Sequence, residues 1–186
     1  GLSGCFGNDV VSDISAPEID DNSFRSYTVI APIDTGINPY HMHFQTDEIL
    51  PDWFIQSMGT TLVCNLSQNG TYQERVDADM ETCWNKITTS DIVYFPGTRI
   101  FAQSPDGDSG VLILDDPSDG HGTAVTGAVI DADPDAVIFF VEGFSDSAVL
   151  AAGTHPMVDV ITTSFGAIGS LPVPGIEDAT KVAVID

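Results

Sequence analysis

The chain has 186 residues, enough for one domain with a sizeable core, and 42% of them are apolar, too many for a disordered polymer. It carries 28 acidic residues against 5 basic ones, a formal charge of −23, so nucleic acid phosphates would repel it and DNA or RNA makes a poor partner. No apolar run approaches the ~20 residues that a membrane-spanning helix needs.

Lysine is confined to Lys86 and Lys181, while Asp far outnumbers Glu. Scarce lysine together with abundant Asp favours a halophile surface, kept soluble and hydrated by its net charge. A calcium-rich extracellular setting with Asp as hard oxygen ligands, or an ordinary acidic secreted protein, are the competing readings.

Residues 1–24 are polar and acidic and read as a tether. Within them Leu2-Ser3-Gly4-Cys5 resembles a lipobox, which would make Cys5 a lipidation site and a means of membrane attachment. An incidental free cysteine is the equal alternative. Tyr27 to Ile33 is an apolar, β-branched run that suits a strand buried on both faces, and Asp34-Thr35-Gly36 closes it.

Residues 37–108 do not alternate cleanly and read as an insertion with short strands at 92–95 and 98–103. Cys64 and Cys83 lie 19 positions apart there, and a disulfide between them would staple the excursion and fit an oxidising compartment. The triplets at Asn65 and Asn69 are N-glycosylation acceptors, which also points outside the cell. His41 and His43 match no closed zinc pattern and read as residues of the loop after Asp34. Residues 110–114 form a further strand candidate.

Ser118 to Thr123 reads as a capped helix start, leading into a small-residue helix through Ile130. Ala136 to Val141 is a second buried strand, Ser145 to Thr154 a short helix, Val158 to Thr163 a third buried strand, and Ile176 to Ile185 another helix. Strands alternating with helices imply crossovers and a parallel sheet, whose reactive groups gather at the carboxyl ends of its strands. Asp34 and Ser164 both sit at such ends, and His121 sits at a helix start.

Three segments carry a family resemblance. Val29-Ile30-Ala31-Pro32-Ile33-Asp34-Thr35-Gly36 resembles the Asp motif of the subtilisin-like serine proteases, and Asp119-Gly120-His121-Gly122-Thr123-Ala124-Val125-Thr126-Gly127 resembles their His motif. Val158 to Gly166 resembles the strand that binds the substrate backbone, and the three occur in the family's order. The resemblance implies a three-layer α/β/α domain over 25–186, with Asp34 as the orienting carboxylate and His121 as the general base. Ser164, Phe165 and Gly166 would bind an extended peptide by strand addition. Gly120, Gly122 and Gly127 would let the backbone pass close to the sheet and the substrate, and Thr123 would help begin the helix. No cofactor is required, although the Asp-rich composition admits structural calcium.

The chain also departs from that pattern. Asp34 and His121 are 87 positions apart, which is long for the family. The oxyanion-hole Asn and the Gly-Thr-Ser nucleophile segment would lie beyond Asp186, leaving the sheet incomplete on its C-terminal side. The expectation is an extracellular or cell-surface endopeptidase, completed by a C-terminal remainder or a second chain. The alternative is a catalytically inactive surface scaffold or binding module on the same fold. An aspartic-protease reading of Asp34-Thr35-Gly36 would need a second copy of the motif and leaves His121 unexplained.

Overall fold

The computed structural model describes residues 27–107 and 109–165. The elements run β1 (Val29–Asp34), α1 (Asp52–Ser57), β2 (Leu62–Val63), α2 (Tyr72–Asp79), β3 (Val93–Phe95), β4 (Ile100–Gln103), α3 (His121–Ala132), β5 (Val137–Glu142), α4 (Asp146–Gly153) and β6 (Val160–Thr163). Short 3-10 turns interrupt the connections at Met42–Phe44, Trp84–Lys86 and Gly110–Ile113.

The six strands form one sheet in the order β2-β3-β4-β5-β1-β6. Every neighbouring pair is parallel except β3 and β4, which are antiparallel. The sheet is therefore mixed rather than wholly parallel. The exception has a local cause: only four residues join β3 to β4, a connection that suits antiparallel neighbours and is far too short for a crossover. Gly97 takes φ +83° within that turn.

β5 shows why the sheet lies between two layers. Val137, Phe139 and Val141 pack into a cluster with Phe54, Met58, Ala148 and Ala152, from α1, α4 and the residue after α1. Ile138 and Phe140 point the other way, into a cluster with Trp84, Ile113 and the α3 residues Val129 and Ile130. All five apolar strand residues are fully buried, as a continuous apolar run in a central strand should be. Each contributes on the order of 2 kcal/mol by leaving water.

The segment 37–108 is no appendage to this sheet. It supplies β2, β3 and β4, and with Trp84, Phe95 and Ile100 it builds much of one core. It also holds two helices that the sequence reading left out. α2 has a clear start signal, a capping box in which Thr71 and Glu74 satisfy each other's backbone N–H groups.

Three expectations need correction. Residues 110–114 are not a strand: Gly110–Ile113 is a 3-10 turn, and only Leu114 bridges, to Ile37. A side chain at Gly110 would meet Ile87 Cβ at 2.5 Å and the Trp84 carbonyl oxygen at 2.7 Å, so the chain turns there at a glycine. The third strand is not buried on both faces. β6 pairs with β1 alone among the described strands, and Val160 is 48% exposed. It also begins later than Val158, at Val160; just before it the Asp159 N–H donates to the Val29 carbonyl at 2.9 Å and Asp159 Oδ2 accepts the Val29 N–H at 2.8 Å. Finally, the start of α3 is not capped from its own N-cap residue. Gly120 occupies that position in the left-handed region at φ +64°. Residues 1–26, with the tether and Cys5, and residues 166–186, with Gly166 and the helix expected at 176–185, lie outside the described residues.

Candidate active site

β1, β5 and β6 are parallel, so their carboxyl ends meet at one rim. Asp34 ends β1 there, and its side chain is fully buried. Oδ1 accepts the Thr35 N–H at 2.8 Å and lies 3.2 Å from the Thr35 hydroxyl. The same oxygen sits 2.7 Å from His121 Nδ1. Oδ2 is buried and has no hydrogen-bond partner among the described residues.

His121 is the first residue of α3, and its side chain is 47% exposed. A carboxylate acceptor at Nδ1 selects the tautomer with the proton on that nitrogen, leaving the lone pair on Nε2. The hydrogen bond to Asp34, then the charge of Asp34, raise the imidazole pKa above its ordinary value against an opposing loss of hydration. Asp119 and Asp115 add to the rise. The pair is thus an oriented imidazole whose protonated form is stabilised by a buried carboxylate, an arrangement suited to accepting a proton from a hydroxyl.

Two glycines permit the contact. A Cβ on Gly122 would overlap the carbonyl oxygen of Gly36, so the first turn of α3 and the loop after β1 touch backbone to backbone. A Cβ on Gly36, itself at φ +156°, would come within 2.8 Å of the Asp115 nitrogen. Gly127 carries no such demand, since its nearest neighbour would be an ordinary 3.7 Å from an added Cβ. Thr123 does not cap its own helix; its hydroxyl accepts the Asn38 N–H at 2.9 Å, a second tie between the same two segments.

The remaining expected residues fall as follows. β6 pairs Thr163 with Ile33, so Ser164 follows at the level of Asp34 on the neighbouring strand, exposed. Phe165 packs edge to face on Phe144, with ring centroids 4.9 Å apart. Cys64 and Cys83 form the expected disulfide. Asn65 and Asn69 are both exposed. His43 Nε2 lies 3.2 Å from Asp131, and His41 Nδ1 accepts the His43 N–H, both on the loop after β1. No group of three or more His, Cys, Asp or Glu that could hold a metal ion occurs among the described residues.

Sequence reasoning missed several rim residues. Asp115 is 4% exposed and accepts the Thr123 N–H at 2.8 Å. Glu142 pairs in register with Asp34; burial holds its carboxyl above the usual range, and Ser104 donates to it at 2.5 Å. Asp106 accepts hydrogen bonds from Ser145 and Ser147. None of the three carries a local sequence signal, because each meets a partner at least 38 positions away.

No protein-family model, curated protein or solved structure matches this chain.

Proposed function

We propose that this chain supplies the Asp and His of a subtilisin-like serine endopeptidase acting outside the cell or at its surface. The serine would come from residues beyond Asp186 or from a second polypeptide. The observation that carries the reading is the 2.7 Å contact between buried Asp34 and half-exposed His121 at the carboxyl rim of parallel strands.

In this scheme a serine hydroxyl hydrogen-bonds His121 Nε2. The imidazole takes its proton as the oxygen attacks the scissile carbonyl, and Asp34 stabilises the imidazolium without itself taking the proton. The same imidazole then returns the proton to the leaving amine. An extended peptide or protein substrate would lie along Ser164, Phe165 and Gly166 as an added strand. The Cys64–Cys83 disulfide and the acidic composition suit an oxidising, extracellular setting. Among the described residues β6 has a strand neighbour on one side alone and Val160 is half-exposed, which suits a further segment or a second polypeptide packed on this part of the domain.

The test compares the mass of the natively purified protein with its mass under denaturing conditions. A co-purifying polypeptide or C-terminal remainder is the expected result. In that preparation Asp34→Asn should lower kcat by about 10⁴-fold, because the imidazole loses its tautomer. A well-folded native particle of this chain alone, with no peptide hydrolysis, would instead favour the inactive scaffold.

A further inference from the structure

Asp34 and His121 sit on separate segments, the end of β1 and the start of α3, and something must fix their separation. Asp115 touches both. Its Oδ2 accepts the N–H of Thr123, the third residue of α3, at 2.8 Å. First-turn N–H groups have no acceptor inside their own helix, and the N-cap residue Gly120 has no side chain to supply one. Its Oδ1 lies 3.4 Å from the hydroxyl of Thr35, the residue next to Asp34.

That hydroxyl has one proton and two carboxylate acceptors, Asp34 Oδ1 at 3.2 Å and Asp115 Oδ1 at 3.4 Å, so it is shared between them. Asp115 is itself held through both of its backbone polar groups. Its N–H donates to the Ile37 carbonyl at 3.2 Å, and its own carbonyl accepts from the Tyr72 hydroxyl at 3.2 Å. The latter contact brings α2 of the 37–108 segment to bear on the site.

We propose that Asp115 is the positioning residue of the Asp34–His121 pair, a buried carboxylate that ties the residue beside the acid to the first turn of the helix that carries the base. One covalent step separates Thr35 from Asp34, and two separate Thr123 from His121. Releasing the tie frees both partners, and a displacement of about 1 Å is enough to cost such a site much of its rate. The role rests on the pair acting as the catalytic acid–base unit, but its test reads the pair itself and not peptide hydrolysis. A failure of the protease reading therefore leaves a distinct result.

The experiment follows the imidazole of His121 in the intact chain by proton and nitrogen NMR against pH. Asp115→Ala should abolish the far-downfield Nδ1–H resonance and move the His121 midpoint down towards an ordinary histidine, near 6.5. Asp115→Asn keeps an acceptor for the Thr123 N–H while removing the charge, so it should retain the resonance with a smaller fall in midpoint. Thr35→Ala should weaken the resonance, and combining it with Asp115→Ala should add less than the sum of the two. An unchanged resonance and midpoint in Asp115→Ala would overturn the proposal. So would an Asp115→Asn variant as damaged as Asp115→Ala, or strict additivity with Thr35→Ala. Should Asp115→Ala fail to fold, Thr35→Ala decides alone: a weakened resonance supports the tie and an unchanged one refutes it.

Discussion

Two histidines set opposite limits on stability. His121 has a raised pKa in the folded chain, mainly from its bond to Asp34. Its stabilisation is complete below the unfolded value near 6.5 and is lost as pH rises through the folded value. His155 has a lowered pKa, because burial disfavours its charge more than the Met58 carbonyl favours it. Between its folded value and 6.5 the unfolded chain binds the extra proton, so stability rises with pH across that window. Denaturant midpoints should therefore peak near pH 6.5, and His121→Gln should flatten the alkaline side of the peak alone. A wild-type curve that climbs steadily from pH 6 to 8 would contradict the Asp34 contact. Gly122→Ala is the steric counterpart at this scale. Its methyl meets the Gly36 backbone rather than a movable side chain. It should cost about 3 kcal/mol by chemical denaturation and weaken the histidine signal as well. At this scale the sequence was informative, because Asp34, His121 and Gly122 all lie in compact motifs. Asp115 was not visible, since its role depends on a contact with Thr35, 80 positions away.

The elements joining these residues were legible where a run was long and apolar, as in β1 and β5, and illegible where stability comes from polar contacts. α2 and the turn after it are held that way. Asp79 is buried and accepts from the Tyr40 hydroxyl at 2.8 Å and from the Ser67 N–H and hydroxyl at 2.8 and 2.6 Å. Trp84 Nε1 in turn donates to Tyr40 at 2.9 Å. Such a network has no periodicity to read, and each member is an ordinary polar residue in the sequence. Asp79→Ala strands several buried donors and should destabilise the chain by about 3 kcal/mol. The Cys64–Cys83 bridge closes a loop with a sequence separation of 19. Replacing both cysteines by serine should cost about 3 kcal/mol on a chain-entropy basis. Thiol counting on unreduced, denatured protein should find neither cysteine free; labelling of both would remove the bridge from the account. β6 was misjudged for a related reason: its apolar run matches that of a buried strand, but among the described residues its only strand neighbour is β1.

The whole molecule carries 28 acidic residues and 5 basic ones. Carboxylates such as Asp131 and Asp135 have side chains 73% and 77% exposed. Repulsion among such groups is screened over about 10 Å in 0.1 M salt and about 3 Å in 1 M salt, so the melting temperature should rise from low to molar salt. A flat or falling trend would remove the halophile reading. The overall α/β class was readable from the alternation of strands and helices. The antiparallel β3–β4 pair was not, because its cause is the brevity of one turn. How this domain uses its Asp–His pair is read out by covalent labelling of the natively purified protein with a fluorophosphonate, followed by peptide mass spectrometry. One labelled serine is expected, in residues beyond Asp186 or in a co-purified polypeptide, with labelling abolished by His121→Ala. No labelled serine in a well-folded preparation, or labelling indifferent to His121, would contradict the serine-protease assignment.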